Sequence, residues 1–390
     1  MDFYFYLAVA LFLGLLFAKV VNFFKLPNVT GYLLAGLVAG PNFFNLLRSE
    51  ITSQAAILTT IALGFIAFSI GNEFKISHIK KIGKRVIFIT ICESFGAIIF
   101  VSLGLMLAGF DKAASLTLSA MAASTAPAAT LLVVKQYKAK GPVTDNLLPV
   151  VAMDDAVGLI TYSICVAFAK ILIDTNAVLT IGIIINPLIK IFTSLLVGIV
   201  IGYVVSILHY KFNDKTSRLV LSISAVLLGL YLSEKFSLSQ LLMCMAIGAS
   251  FVNFRNDGIE TIKIVEEFTP PIFLLFFVIS GAELNISLLP KVGMYGIIYI
   301  VLRVMGKYVG TYFGSSIVKA DKNVKKYLGL ALVPQAGVAI GLSQMALKEL
   351  PQFGKELQAI ILSATLVYEL TGPIITKIAL KKAKEIPDEK

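Results

Sequence analysis

The chain has 390 residues, 57% of them hydrophobic and only 15% charged, with a mean hydropathy of +0.88. A water-soluble domain carries about 25% charged residues, so one soluble core is excluded in favour of a polytopic membrane protein. The net charge of +11 marks no nucleic-acid surface, because the basic residues are scattered through short stretches between apolar runs. Cys92, Cys165 and Cys244 lie inside apolar runs with no CxxC spacing and read as packing residues. The two histidines, His78 and His209, are too few for a metal site.

A helical span needs roughly 20 apolar residues, fewer where it is tilted or buried in protein. By that rule about thirteen segments follow in chain order: 3–24, 29–44, 53–71, 85–109, 113–134, 146–170, 186–208, 217–233, 238–252, 269–283, 291–317, 326–347 and 357–379. The first run follows acidic Asp2 and lacks a basic leader and a small-residue cleavage site, so it is expected to be a retained span. Segments 29–44 and 238–252 are short and rich in small residues, as expected of tilted or protein-packed helices.

Lys and Arg alternate strongly between loops. One set holds Lys19 and Lys25, then Lys75, Lys80, Lys81, Lys84 and Arg85, and later Lys135, Lys138 and Lys140. The same set continues with Lys211, Lys215, Arg218, Arg255 and Lys263, then Lys319, Lys322, Lys325 and Lys326. The opposite loops carry only scattered charges such as Arg48, Lys112, Lys291, Lys348 and Lys355. The basic side is expected to be cytoplasmic, with the N-terminus outside, the C-terminus inside and a short cytoplasmic tail at 381–390.

Segment three ends in Gly71-Asn72-Glu73-Phe74-Lys75-Ile76-Ser77, and segment ten in Gly281-Ala282-Glu283-Leu284-Asn285-Ile286-Ser287. The motif from Leu33 to Gly40 in segment two similarly echoes Leu241 to Gly248 in segment nine. Both matches are offset by seven segments, and an odd offset makes the halves enter the membrane in opposite directions. Inverted repeats are the recurring build of secondary transporters, with the ion site near the midplane. The expected layout is one transmembrane domain: a first repeat at 1–170, a linker helix at 186–208 and a second repeat at 217–380. A chance similarity of apolar strings is the bland alternative, and two matches in one order weaken it.

Segment six carries Asp154 and Asp155 within an apolar run. Two unpaired carboxylates there would cost about 5–7 kcal/mol on insertion scales. Neighbours on a helix point about 100° apart, so the two can meet different partners. Arg303 and Lys307 in segment eleven are four residues apart and share one helix face. Burial and a like-charged neighbour both favour a protonated carboxyl, while an ionised one is a hard oxygen ligand for an alkali cation. A group that holds either a proton or a cation, but not both, is the minimum for exchange. The bland reading is a static ion pair.

Segment five contains Ser124-Thr125-Ala126-Pro127, and segment twelve, its repeat partner, contains Val333-Pro334-Gln335-Ala336-Gly337. Proline removes a helix hydrogen bond, and freed carbonyls at membrane depth are tolerated where they line a site. Both segments are therefore expected to be broken helices, with a simple kink as the alternative. Glu73 and Glu283 fall at segment ends, Glu93 and Glu369 deeper. Glu73, Glu93, Glu369 and Gln335 are the accessory candidates, as ligands or as structural pairs.

On these residues the chain resembles the monovalent cation:proton antiporter superfamily, most closely the NapA-like branch of its second family. The resemblance spans essentially the whole chain: Pro27 to Tyr32, Gly36-x-x-x-Gly40-Pro41, the Asp154-Asp155 pair and the basic residue of segment eleven. It implies an all-α fold of the NhaA/NapA type with broken crossing helices. It further implies a homodimer, an elevator-like core of segments three to six and ten to thirteen, and a dimerisation domain of segments one, two, eight and nine.

By the same resemblance, Asp155 carries the cation and the proton, Asp154 pairs with Arg303, and Thr125 and Ser124 line the crossover. A paired aspartate resembles electrogenic exchangers, which implies Na⁺ or Li⁺ against more than one H⁺. Those ions, lipid and a second copy are then the partners, with no cofactor. The chain departs from the pattern in having Arg303 with Lys307 one turn away, and Gln335-Ala336-Gly337 where relatives often carry Arg or Glu. Kef-like potassium/proton exchange is the alternative, although those systems carry Gln-Asp at the key pair. A channel or an intramembrane protease fits poorly, since two adjacent aspartates on one helix do not face each other.

Overall fold

The structure, a computed structural model, describes residues 2–41, 43–47, 49–77, 83–173, 182–255, 257–283 and 293–387. Among these residues the chain is helical, with no strand. It opens with α1 (Asp2–Phe23), α2 (Asn28–Ala39) and α3 (Ser49–Ile70), which ends in a 3-10 turn, Gly71–Phe74. Then come α4 (Lys84–Leu107), α5 (Lys112–Met121), α6 (Pro127–Gln136), α7 (Pro142–Ile173) and α8 (Gly182–Leu208). The second half holds α9 (Lys215–Lys235), α10 (Gln240–Phe254), α11 (Gly258–Phe268), α12 (Pro270–Glu283) and α13 (Gly293–Ile317). It closes with α14 (Lys322–Ala331), α15 (Gly337–Glu349) and α16 (Pro351–Lys382). Six helices among the described residues are long and apolar enough to cross a membrane, and several shorter ones are apolar.

The expected segments all fall on helices, and both expected breaks are present, between α5 and α6 and between α14 and α15. Helix α11 was not anticipated. It is too short and too polar for the apolar-run rule, and it folds by burying Ile262, Ile264 and Val265 while Lys263 stays exposed. Arg48, His78, Lys80, Lys81, Lys291 and the motif residues Asn285–Ser287 lie outside the described residues, as do the side chains of Glu73, Glu283 and Lys348.

The repeat shows in the lengths of the elements. Asp111 caps α5 by accepting from the amides of Ala113 and Ala114, and Asp321 caps α14 by accepting from Asn323. A shift of 210 residues (321 less 111) carries this cap, both ends of α5 and the last residue of α4 onto their counterparts.

The chain divides into two compact units. The first comprises Met1–Phe17, Tyr32–Gly83 and Leu188–Glu283; the second comprises Ala18–Gly31, Lys84–Pro187 and Leu284–Lys390. Segments three and ten, expected with the broken helices, belong instead to the first unit. The reason is close backbone packing. A Cβ on Gly36 of α2 would fall 1.9 Å from the Val278 carbonyl oxygen of α12, and one on Gly281 would fall 2.2 Å from that of Leu33. Likewise a Cβ on Gly248 of α10 would lie 2.0 Å from the Phe68 carbonyl oxygen of α3. The motifs legible as repeats are thus contact surfaces, each packing against the segment its own partner precedes or follows.

At one end of the first unit Asp257 accepts from Arg255 at 2.6 and 2.7 Å and pairs with Arg218 at 2.7 Å. His209 is fully buried there with its ring against Phe251. Burial, then Arg255 and Arg218, push its imidazole down to about 4, with Asp257 acting in the opposite sense.

In the second unit α4 and α13 meet almost backbone to backbone. A Cβ on Gly96 would sit 2.5 Å from the Gly306 carbonyl oxygen, and one on Gly310 would sit 2.3 Å from that of Cys92.

Two outcomes follow. Gly310→Val should destabilise the protein by about 1–3 kcal/mol or more, since backbone cannot yield as a side chain does, read as a lower melting point in detergent. For His209, the unfolded imidazole takes up a proton near its ordinary pKa of 6.5 while the native one does not until about 4. Stability contributed by keeping it neutral is therefore lost as pH falls through that window. His209→Phe should flatten the decline in melting point between those values; an unchanged slope would remove His209 as its cause.

Candidate functional site

The second unit brings the two helix breaks together. Pro127 starts α6 at a position where its missing N–H costs nothing, and Pro334 interrupts the second segment in the equivalent stretch. The amide of Ala126 donates to the Pro334 carbonyl oxygen at 2.9 Å, tying one break to the other. Around this crossing, the carbonyls of the non-helical stretches that follow α5 and α14 lack helical partners and lie at the negative end of each half-helix dipole.

Two cations from α13 meet them, one turn apart as the sequence spacing requires. Arg303 donates from Nε to the Ala122 oxygen at 3.0 Å, from Nη1 to Val333 at 2.7 Å, and from Nη2 to Ser124 at 2.7 Å and Pro334 at 3.5 Å. Its guanidinium also stands 4.5 Å from the centre of the Tyr368 ring. Lys307 donates from Nζ to the Ala123 oxygen at 2.6 Å, to Glu93 Oε2 at 2.7 Å and to Thr125 Oγ1 at 2.9 Å, and it reaches Asp154 Oδ2 at 3.3 Å.

Of the two basic residues expected as charge partners of the Asp pair, Arg303 and Lys307, it is Lys307 that meets Asp154, not Arg303 as the resemblance implies. Lys307 is the ion-pair partner of Asp154 among the described residues, because the guanidinium fork matches the spread of carbonyls while the single ammonium fits between carboxylates. Glu93, an accessory candidate, is the nearer of the two carboxylates on Lys307; it also accepts from Ser94 at 2.9 Å. All three members of this ion cluster are 0% exposed.

Thr125 links the break to the acidic pair: its amide donates to Asp154 Oδ1 at 3.3 Å and its hydroxyl donates to Asp154 Oδ2. Ser124 contributes its carbonyl to Arg303, while its hydroxyl turns back to the Met121 oxygen at 3.3 Å. Gln335 donates to the Met121 oxygen at 2.8 Å and exchanges hydrogen bonds with the Tyr299 hydroxyl. That places Gln335 in the framework of the crossing, apart from the Asp pair. Glu369 is buried on α16, next to Tyr368.

Asp155 differs from Asp154 and Glu93. It is 5% exposed, and its buried Oδ1 has no hydrogen-bond partner among the described residues. One turn on, Gly158 brings α7 against the break, where an added Cβ would meet the Ser124 amide at 3.7 Å. Asp155 is thus a desolvated carboxylate on the helix that packs against the break, and a buried polar atom without a partner calls for an explanation. No cluster of three or more His, Cys, Asp or Glu suited to a bound metal occurs among the described residues.

Crossed half-helices in a repeat-built, apolar helical protein define a secondary transporter. The family profile "Sodium/hydrogen exchanger, transmembrane" matches residues 7–382, and the chain belongs to that family. It is 24% identical over 361 residues to Na(+)/H(+) antiporter 1 of Methanocaldococcus jannaschii, covering 85% of this chain and 80% of that one. The solved structure of the sodium proton antiporter MjNhaP1 from that organism at pH 8 matches with a TM-score of 0.69 at 21% identity, covering 100% and 99% of the two chains. Its electron-microscopy structure matches with a TM-score of 0.78 at 18% identity, covering 99% and 98%. These relatives are transporters rather than enzymes.

Lys307→Met would leave Glu93 and Asp154 buried side by side with no counter-charge, at a cost of about 3–5 kcal/mol. Combining it with Glu93→Gln should restore part of that. Thermal unfolding of the single and double variants checks this, and equal losses in both would show that the ion cluster is not the cause.

Proposed function

We propose that the chain is an electrogenic sodium/proton antiporter in which Asp155 alternates between a proton and Na⁺ or Li⁺. Family membership supports exchange, and the observation that carries the site is the buried Asp155 Oδ1 with no partner beside the Thr125–Ser124 break. Protonation satisfies that oxygen from one side of the membrane; a cation satisfies it from the other. Neither fits while the other is bound, which couples the two flows.

The ion cluster supports a stoichiometry above one. Lys307 has two carboxylate partners, so Glu93 keeps it neutralised when Asp154 turns to the transported ion. Both aspartates then take part. With two protons bound, the pair is neutral; with one cation on two carboxylates, it carries a single negative charge. Opposite movements of those two loaded forms transfer one net charge per cycle.

Alternating access is assigned to movement of the unit that bears the crossing, as the resemblance implies, in a homodimer embedded in lipid. The N-terminus lies outside and the C-terminus in the cytoplasm, following the distribution of Lys and Arg. The repeats are those at 1–170 and 217–380.

Proteoliposomes loaded with a pH dye test this. Addition of Na⁺ or Li⁺ should move protons with wild-type protein, collapse of the membrane potential should change the rate, and Asp155→Asn should abolish the signal. Exchange that survives Asp155→Asn would sink Asp155 as carrier. Exchange insensitive to potential would reduce the stoichiometry to one.

A further inference from the structure

We infer that Arg303 is a selectivity-determining residue: its guanidinium fills the carbonyl cradle of the crossing and thereby excludes K⁺. This rests on the exchange reading above and names which cations that site accepts.

The argument starts from what each ion needs. A large, weakly hydrated alkali ion is stripped of water by several neutral oxygens at once, and rings of backbone carbonyls do this in potassium-selective filters. Na⁺ and Li⁺ are smaller and hold water more tightly, so they are better served by a carboxylate and a few waters. A crossing of two broken helices is a ready source of carbonyls, since each half-helix ends with unpaired ones.

In this chain those carbonyls are already taken, consecutively. The Met121 oxygen accepts from Gln335, Ala122 from Arg303, Ala123 from Lys307 and Ser124 from Arg303. On the opposite break, Val333 accepts from Arg303, and Pro334 from both the Ala126 amide and Arg303. Arg303 alone engages four carbonyls drawn from both breaks, and it is 0% exposed, as is Lys307. Two resident cations thus occupy the neutral-oxygen cage. A transported ion is left with Asp155, Asp154 and the waters it brings, a ligand set of few and strongly charged oxygens. That set discriminates by charge density, in favour of Li⁺ and Na⁺.

Arg303 also suits this task better than a lysine would. Its planar fork reaches carbonyls on both breaks simultaneously, whereas an ammonium with three donors on a single centre cannot span them. Tyr368 holds the fork in place from behind, with its hydroxyl anchored on the Ile300 oxygen at 2.8 Å.

The test compares Li⁺, Na⁺ and K⁺ as drivers of proton flux in proteoliposomes for wild type, Arg303→Lys and Arg303→Gln. Wild type is expected to respond to Li⁺ and Na⁺ and at most weakly to K⁺. Arg303→Gln, which empties the cradle, should raise the K⁺ to Na⁺ ratio of apparent affinities by about tenfold, and adding Asp155→Asn should silence it. Arg303→Lys keeps the charge and guards against misfolding; it should shift the ratio in the same direction by less. A structural role alone would lower yield or rate without moving that ratio. An active Arg303 variant with the wild-type ratio overturns the proposal, as does wild type driven equally by K⁺ and Na⁺. Absence of any cation-driven flux in well-folded wild type would instead overturn the exchange reading.

Discussion

Breaking a helix inside a membrane leaves carbonyls without partners, and nearly every feature of the second unit answers that one problem. Each unpaired carbonyl buried from water costs on the order of a few kcal/mol. Here buried cations meet most of that cost: Arg303 takes four carbonyls and Lys307 a fifth. Those cations would themselves be intolerable alone. Lys307 is matched by Glu93 and Asp154, and Arg303 by the summed dipoles of two half-helices and an aromatic face. Within the acidic pair, Asp154 is matched in this way while Asp155 keeps a buried Oδ1 with no hydrogen-bond partner among the described residues.

Packing sets this chemistry as much as charge does. Glu93 reaches Lys307 at 2.7 Å because α4 and α13 approach over glycine, and a Cβ on Gly310 would already lie 2.9 Å from the Glu93 Cα. A larger residue there would push the helices apart by more than the hydrogen bond can stretch. The same device recurs in the first unit, where Gly36, Gly71, Gly248 and Gly281 bring α2 to α12 and α3 to α10. Small residues at helix contacts are how membrane helices gain close van der Waals packing without a hydrophobic driving force between them.

Helix positions, breaks and the acidic pair were legible in sequence because each has a local signature: apolar length, proline among small residues, and charge in an apolar run. Partner choice was not. Arg303 and Lys307 share a face, so spacing cannot say which meets Asp154; that depends on the height of α13 against the break, a tertiary quantity. The carbonyls that bind Arg303 have no side-chain signature. Gln335 looked like a ligand by position yet is held by Tyr299 and Met121. The grouping of segments three and ten depended on which glycine faces which backbone, and sequence lists glycines without their partners. Helix α11 escaped for a different reason, since a single amphipathic turn-and-a-half of buried side chains falls below any spanning rule.

The two halves share element lengths and break together, yet their charges do not repeat. The shift of 210 residues that carries α5 onto α14 places Glu93 on Arg303, Asp154 on Ala364, Asp155 on Thr365 and Ala97 on Lys307. The scaffold is duplicated while the site is singular. That division has a physical logic. Equivalent arms give a framework that can be presented alike to either side of the membrane, which exchange requires. Two copies of the charge set would instead place a second acidic pair beside the first, and mutual repulsion would prevent both from ionising together. At the position where the second half has Arg303 the first half has Glu93, and that carboxylate compensates Lys307 instead. Asp155 then keeps a buried oxygen with no hydrogen-bond partner among the described residues, and that imbalance is what makes it costly to bury.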